Sequence, residues 1–258
     1  MCIRDRETSY ANGGQLSASN AEVWNSTATV LKGLRWMWRK NAPLLLNPKF
    51  SWHKYSWLAQ FMAQIPNYRE NTIATTRLAI QARQHLFDMA EAEGIDFDLE
   101  RRGILHIYHD AASFDAARRS NALLQAGGLE RFAVSGSEAR NIEPTLQTDC
   151  YGGFYTPSDA TGDIHKFTSG LARACERLGV TFVQDADIEQ ISREGRPYAM
   201  DVLREGGTVR EQHETDAIVI CAGAVSRKFA RQMGDSLNIY PVKGCLLYTS
   251  PSPRDRQK

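Results

Sequence analysis

The feature that most constrains the fold is a short apolar run near the end of the chain, inside DAIVICAGAVS (216–226). Residues 217–221 have no charged or amide side chain among them, and a continuously apolar strand is buried on both faces, as in the parallel sheet of an α/β domain. The turn Ala222-Gly223-Ala224 then leads towards a helix. We therefore predict that the C-terminal third belongs to a doubly wound α/β domain.

Strands and helices alternate through the middle of the chain. The spacing of apolar residues predicts a helix over 68–93, with Gly94 as the glycine that ends it. GILHIYH (103–109) is rich in β-branched and aromatic residues and predicts a strand, and 110–128 a helix. Ser135-Gly136-Ser137-Glu138 matches a capping box at the start of a short helix.

The same alternation continues towards the C-terminus. YGGFYTP (151–157) predicts a strand, Asp163 is expected to cap a helix over 164–179, and VTFVQ (180–184) predicts another strand. Three further stretches before residue 217 predict a meander of strands. The middle of the chain is thus predicted to be an α+β insertion in the α/β domain.

Both termini resemble translated sequencing adapters: residues 1–6 at one end and 245–258 at the other. We expect neither to be native and leave both out of fold reasoning. Without them the net charge changes from +1 to −2, with 26 basic and 28 acidic residues. This balance shows no electrostatic footprint for nucleic acid, so we predict no nucleic-acid partner.

Cysteine usage indicates the compartment. Cys150, Cys175 and Cys221 remain, an odd number with no C-x-x-C spacing, which argues against a disulfide framework and against a zinc site. We predict a reducing, cytoplasmic environment, with Cys221 as a small buried hydrophobic residue. No apolar run approaches the roughly 20 residues that cross a bilayer.

The loop ETSYANGGQLS (7–17) is the first candidate site. Gly13 and Gly14 allow a close approach of the backbone to a flat ligand, and the polar side chains of Ser9, Asn12 and Gln15 can hydrogen-bond its edge. The alternative is a tight turn, because Asn-Gly is a strong hairpin signal. The flanking residues lack the alternation of a hairpin.

Four segments together carry a family resemblance: ETSYANGGQLS (7–17), SDATGDIHKFTSGLA (158–172), DAIVICAGAVS (216–226) and YPVKG (240–244). In this order and at these intervals they resemble the D-amino acid dehydrogenases within the D-amino acid oxidase family of FAD-dependent oxidoreductases. The resemblance covers residues 7–244. It implies FAD as the cofactor, with the loop 9–15 crossing the flavin.

The resemblance also assigns further cofactor contacts and domain boundaries. Ala222, Gly223 and Ala224 would bring backbone amides to the dinucleotide, and the backbone of Ile188 would hydrogen-bond the adenine. Ile188 is equally explained as a core residue of its strand. The implied FAD-binding domain comprises 7–33 and 159–234, and the implied substrate domain comprises 34–158 and 235–244.

The implied fold class is an incomplete Rossmann-like FAD-binding domain with an α+β substrate domain inserted. The sequence has no G-x-G-x-x-G phosphate loop, so we expect the first βαβ unit of the family pattern to be missing. A portion following YPVKG is expected to be missing too. We therefore expect the chain by itself to be inactive and to bind FAD poorly.

The implied activity is oxidative deamination of a D-amino acid to a 2-oxo acid and ammonia. A hydride would pass from Cα to flavin N5, and electrons would pass on to a respiratory acceptor. In this family the groups that hold the substrate carboxylate come mainly from the portion beyond YPVKG, so no catalytic residue is assigned. The alternatives are a glycine or sarcosine oxidase-like amine oxidase and a non-catalytic module.

Other candidate side chains have simpler explanations. His106 and His109 lie three positions apart on a predicted strand, so they face opposite sides and are not expected to share a metal ion. No metal site is predicted. Asp163 is explained by helix capping rather than by catalysis.

An aromatic and basic stretch covers residues 34–57, LRWMWRKNAPLLLNPKFSWHKYSW. Such a composition suits a membrane interface, which would place the protein peripherally on the inner face of the cytoplasmic membrane. The favoured interpretation is packing of this stretch against its own domain.

Overall fold

The computed structural model describes residue 9 and residues 12–36, 49–147, 149–192 and 197–241. The chain divides into two compact units. The larger unit comprises Arg6–Asn47 and Met62–Arg177, and the smaller unit comprises Met1–Asp5, Pro48–Phe61 and Leu178–Lys258.

The helices and strands follow in chain order. The helices are α1 (Thr27–Trp36), α2 (Trp52–Ala63), α3 (Tyr68–Ala92), α4 (Ala111–Ala126), α5 (Gly136–Ile142), α6 (Ile164–Arg177) and α7 (Ser226–Gln232). The strands are β1 (Gln15–Leu16), β2 (Ile104–Tyr108), β3 (Phe132–Ser135), β4 (Gly152–Thr156), β5 (Ala160–Thr161), β6 (Ala186–Ser192), β7 (Tyr198–Arg204) and β8 (Val209–Thr215). None of the helices in the described ranges is long and apolar enough to cross a membrane.

The helix boundaries in the larger unit follow the predicted end signals. The α3 helix is followed by Gly94, whose φ is +61°. The side chain of Asp110 accepts a hydrogen bond from the Ser113 amide at 2.8 Å and caps α4. At the start of α5, Ser135 and Glu138 form the predicted capping box. The predicted end at Gly94 and the predicted capping box are confirmed, because both depend on local backbone groups alone, and the Asp110 cap was not predicted.

The centre of the larger unit is an antiparallel sheet in the order β2-β4-β3. The residues opposite each other on β2 and β4 include His106 and Phe154. The Phe114 ring of α4 stacks on Phe154 with centroids 4.9 Å apart, and Tyr108 meets both rings edge-on at 6.1 Å. This aromatic group fixes α4 on the sheet.

Two apolar clusters complete the core of the larger unit. Leu124 and Leu129 enclose Ala18, next to Ile80 of α3. Ala90, Phe97 and Phe167 form the second cluster, in which the two phenylalanine rings meet edge-on at 5.4 Å. The α3 helix contributes to both clusters.

The smaller unit contains the predicted meander, an antiparallel sheet in the order β6-β7-β8. Helix α7 packs against β6, and its Gln232 side chain accepts a hydrogen bond from the Ile191 amide at 3.0 Å. The buried apolar side chains of this unit include Ile191, Val202 and Phe229. The helix predicted after the Ala222-Gly223-Ala224 turn is therefore present as α7.

Two predicted strands of the smaller unit are not formed. Residues 180–184 and 217–221 have no strand assignment, and Val219 is 85% exposed. All strand pairs in the described residues are antiparallel, so the parallel pairing predicted around 217–221 is wrong for this part of the chain. The apolar sequence sets a preference for burial, but a buried strand also needs ladder partners, and no strand of the described residues pairs with this segment.

Cys221 is exposed, and the prediction that it is buried is also wrong. Cys221 is the last residue of the segment 217–221, which forms no strand, and is exposed like Val219 in the same segment. Cys150, Cys175 and Cys221 are all free thiols.

The aromatic stretch 34–57 is described only in part, and residues 37–48 lie outside the described residues. Trp57 stacks on Phe61 with centroids 5.4 Å apart and lies 5.8 Å from Tyr240, as expected for packing within its own unit. Trp52 and Phe50 are 77% and 78% exposed.

Candidate functional site

The loop 12–16 lies against the segment 160–162 of the larger unit. Residues Gln15 and Leu16 pair with Thr161 and Ala160, and the Gly162 amide donates to the Gly14 carbonyl at 2.9 Å. The φ of Gly14 is +61°, and a Cβ at this position would lie 2.6 Å from the Gly162 carbonyl oxygen. Position 14 therefore requires glycine for both conformational and steric reasons.

The polar side chains of the loop stabilise this turn. The Asn12 side-chain oxygen accepts from the Gly14 amide at 2.7 Å, and its amide nitrogen donates to the Ser9 carbonyl at 3.3 Å. Gln15 is exposed and accepts from the Asn20 side chain at 3.1 Å. Asn12 thus holds the loop in an Asx turn, which is a role in addition to the predicted ligand contact.

Gly13 differs from Gly14 although the two are adjacent. It is exposed, and a Cβ built on it would have no atom within 4 Å. No packing within the described residues therefore accounts for glycine at position 13. An open, bare backbone edge beside a fixed turn fits the close approach of a planar ring.

Asp159 connects this loop to the core of the larger unit. Its side chain is 0% exposed and forms an ion pair with Arg83 of α3. It also accepts hydrogen bonds from the Ala18 amide at 2.9 Å, the Ser19 amide at 3.2 Å and the Ser17 hydroxyl at 3.1 Å. A buried carboxylate with one cation and three donors is well compensated, so it holds residues 17–19 rigidly beside β1.

His106 and Arg131 line a cavity together with Ser19. The Ser19 hydroxyl is 3.0 Å from His106 Nε2. Burial, together with the nearby Arg131 cation, lowers the pKa of His106, and Asp159 opposes this effect. Neutral imidazole is therefore favoured inside this part of the unit.

A cavity of about 330 Å³ adjoins these groups within the larger unit. Ser19, Glu22, Trp24, His106, Ser120 and Arg131 are among the residues that line it. The Glu22 carboxylate accepts a hydrogen bond from Tyr68. Burial and this hydrogen bond raise the pKa of Tyr68 to about 12.

The remaining predicted site residues lie in the smaller unit. Ala222 precedes a short 3₁₀ turn at Gly223–Val225, and the Ala222 amide donates to the Ser226 hydroxyl at 3.1 Å. The Ile188 carbonyl accepts from Lys228 Nζ of α7 at 3.4 Å. The smaller unit thus brings Ile188 close to the helix that follows Ala222, Gly223 and Ala224.

The predicted site residues form two groups, Ser9 with Asn12–Gln15 in the larger unit and Ile188 with Ala222–Ala224 in the smaller unit. The convergence of the two groups on one ligand stays a prediction. Sequence reasoning missed Asp159 and Arg83 as the supports of the loop. Asp159 was within the segment 158–172 that carries the resemblance, but its burial depends on contacts more than 70 residues away in sequence.

The other candidate side chains behave as their spacing indicates. His106 contacts Ser19, whereas the His109 ring nitrogen Nδ1 is 3.3 Å from the Asp149 carbonyl oxygen. The Asp163 side chain accepts from the Lys166 amide at 3.0 Å, which is a helix cap. Within the described ranges no cluster of three or more His, Cys, Asp or Glu side chains could hold a metal ion.

Comparison with known proteins supplies the family. The protein-family model described as "DAO: FAD dependent oxidoreductase" matches residues 4–258. A relative from Mesorhizobium japonicum, D-amino acid dehydrogenase 3, is 56% identical over 238 residues, which are 92% of this chain and 57% of the relative. The D-amino acid dehydrogenase of Paramagnetospirillum magneticum is 37% identical over 248 residues, with 92% and 57% covered.

Solved structures show the same fold. Glycine oxidase from Geobacillus kaustophilus matches with a TM-score of 0.58 at 19% identity, over 88% of this chain and 48% of that one. The FAD-bound L-alpha-glycerophosphate oxidase of Mycoplasma pneumoniae matches with a TM-score of 0.55 at 14% identity, over 88% and 47%. At these identities the likeness shows the fold alone, an α/β fold. The predicted fold class is confirmed at that level.

The chain spans less than three fifths of the length of the curated relatives that it matches. The match to the family model, by contrast, covers nearly all of this chain. The resemblance inferred from the four sequence segments is therefore confirmed, and the chain belongs to the DAO family of FAD-dependent oxidoreductases.

Proposed function

We propose that this chain is part of an FAD-dependent dehydrogenase that oxidises D-amino acids to 2-oxo acids and ammonia. The 56% identity to a D-amino acid dehydrogenase over 92% of the chain supports this substrate class. The activity is proposed for a protein with the full length of those relatives. By itself the chain is proposed to be inactive and to bind FAD weakly.

The observation that carries the proposal is the contrast between Gly13 and Gly14. Gly14 is fixed by its positive φ and by Gly162, whereas Gly13 presents an open backbone edge. Such an edge supports a role for Ser9, Asn12, Gly13, Gly14 and Gln15 as contacts to the flavin ring. When bound, FAD supplies the hydride acceptor for the substrate Cα.

The chain's own residues orient that loop. Asp159 holds the amides of Ala18 and Ser19, and Asn12 holds the turn at Gly14. Because a misplacement of about 1 Å can lower a rate by about a hundredfold, a loop fixed in the core is suited to positioning a reactive ring. Asp159 and Asn12 are therefore proposed as positioning residues.

The second group of residues is proposed to meet the rest of the dinucleotide. Ala222, Gly223 and Ala224 would present backbone amides before α7, and the Ile188 backbone would contact the adenine. In the proposed division, 7–33 and 159–234 contribute to the FAD-binding domain, and 34–158 and 235–244 to the substrate domain. The absence of G-x-G-x-x-G from the sequence means that the pyrophosphate contact is not assigned to these residues.

The electron acceptor and location are proposed by family likeness. Electrons would pass to a respiratory acceptor, which fits a cytoplasmic protein that associates peripherally with the inner face of the membrane. The exposed rings of Phe50 and Trp52 are the described side chains that support such an association.

The test is a chimera in which the 238 matched residues of the M. japonicum dehydrogenase are replaced by those of this chain. We expect the chimera to bind FAD and to reduce an artificial dye with D-alanine in the absence of oxygen. L-alanine, glycine and sarcosine are the comparison substrates, and the unmodified relative is the positive control. A chimera that folds, by circular dichroism and a cooperative thermal transition, but prefers glycine or sarcosine, or oxidises no amino acid, would contradict the proposal.

A further inference from the structure

The cavity in the larger unit has a buried cation at its wall. Arg131 is 4% exposed and lines the cavity together with Ser19, Glu22 and Ser120. One face of its guanidinium lies over the Phe154 ring, at 5.0 Å from the centroid. Phe154 is itself buried, so this face of the cation is covered, while Arg131 also lines the cavity.

This guanidinium is incompletely satisfied by the described residues. Its Nε atom is buried and has no hydrogen-bond partner among them, and they offer it no carboxylate within ion-pair distance. Asp159 is paired with Arg83, and Glu22 is engaged by Tyr68. Burial lowers the pKa of Arg131, while the Tyr108 hydroxyl favours its charged form, as do the carboxylates of Asp159 and Glu22 from beyond ion-pair distance. A buried charge without an anionic partner is costly, which points to a ligand as the missing partner.

We propose that Arg131 binds the carboxylate of a small monocarboxylate in this cavity. A planar guanidinium matches a planar carboxylate through two parallel hydrogen bonds. A volume of about 330 Å³ is within the range of pockets for small organic molecules. Val23, Trp24 and Ala117 add apolar surface for a short alkyl chain.

The charges around the cavity favour a monoanion over a dianion. One buried cation is present, and the Glu22 carboxylate on the same wall would repel a second negative charge. Dicarboxylates and sulfate should therefore bind more weakly than propionate. This inference depends only on contacts within the larger unit, so it can fail without affecting the proposed flavin chemistry.

The experiment uses the full 258-residue chain and propionate as the probe. Thermal unfolding and titration calorimetry are measured with propionate, with succinate, with sulfate and with sodium chloride at matched ionic strength. At about ten times its Kd, propionate should raise the Tm of the parent by about 3–6 °C. Succinate and sulfate should raise it less, and sodium chloride should not raise it.

Three variants separate binding from structural support. Arg131→Met removes the buried charge and should abolish the propionate response while leaving the Tm without ligand unchanged or higher, because a partnerless charge is replaced by an apolar side chain. Ala117→Leu should abolish the response by filling the cavity without altering Arg131. Arg118→Met is the matched control, because Arg118 also lies over an aromatic ring, Phe114, but is exposed. It should keep the full response.

The proposal is overturned if propionate does not bind the parent, or if Arg131→Met binds it as the parent does. It is equally overturned if sulfate or succinate binds more tightly than propionate. An Arg131→Met chain that unfolds at a lower temperature or fails to fold would show that the guanidinium is a structural cation. In that case Ala117→Leu decides: loss of propionate binding in this variant supports the cavity as the site, and retained binding excludes it.

Discussion

The larger and the smaller unit differ in how completely their apolar and charged segments find packing and hydrogen-bond partners. In the larger unit even a fully buried carboxylate, Asp159, has a cation and three hydrogen-bond donors. In the smaller unit the most apolar segments, 180–184 and 217–221, form no strand, and Val219 is largely exposed. Local sequence therefore determines a helix or strand only when its tertiary partners are present.

Removing the Asp159 charge tests the larger unit most severely. Asp159→Asn would leave Arg83 buried without its partner, and we expect the free energy of unfolding to fall by about 3–5 kcal/mol. Urea unfolding followed by circular dichroism measures the change. Asp98→Asn, which breaks an exposed ion pair with Lys166, is the control and should cost far less. Similar losses in both variants would show that burial does not determine how much the Asp159–Arg83 ion pair contributes to the free energy of unfolding.

Gly14 tests whether the loop belongs to the same rigid core. Gly14→Ala introduces a Cβ at positive φ and 2.6 Å from the Gly162 carbonyl oxygen. We expect a loss of about 1–3 kcal/mol in unfolding free energy, measured as for Asp159. An unchanged stability would mean that the loop is not held as the hydrogen bonds indicate.

His106 predicts a pH dependence of the larger unit. Its pKa is lowered in the folded state by burial, so the unfolded chain binds the proton more readily. Stability should therefore fall as the pH drops below the unfolded pKa of about 6.5 and level off below the folded pKa. Urea unfolding between about pH 7 and pH 5 measures the slope, which His106→Gln should reduce. If the stability of the parent instead rises on acidification in this range, folding raises the pKa of His106 and the prediction is wrong.

A substitution at Val219, in the smaller unit, has the smallest expected effect on stability. Because its side chain is 85% exposed, Val219→Ser should change the unfolding free energy of the chain by no more than about 0.5 kcal/mol. Val202→Ser is the matched comparison in the same unit, because Val202 is 5% exposed, and it should lower the unfolding free energy by well over about 1 kcal/mol. An equal effect of the two substitutions would remove the explanation given for the unformed strand.

The sequence predicted the features that depend on local backbone groups. The helix ending at Gly94, the caps at Ser135 and Asp163 and the strand 104–108 all follow from neighbours within a few residues. The burial of 217–221 was mispredicted because it depends on ladder partners elsewhere. In the candidate site, the residue types of Asn12 and Gly14 indicate a tight loop, and their contact with a flavin stays a prediction. Arg83 and Arg131 were not predicted, because only the tertiary fold brings them beside residues 17–19 or into the cavity.

Gly13→Ala in the chimera tests whether the loop 9–15 contacts the flavin. If Gly13 is bare because a flavin approaches it, Gly13→Ala should leave the Tm of the flavin-free protein unchanged and weaken FAD binding by about tenfold or more, which corresponds to about 1.4 kcal/mol. Fluorescence titration of the apoprotein with FAD measures the Kd. Gly13→Ala protein that binds FAD as tightly as the parent chimera would contradict the assignment of this loop to the flavin.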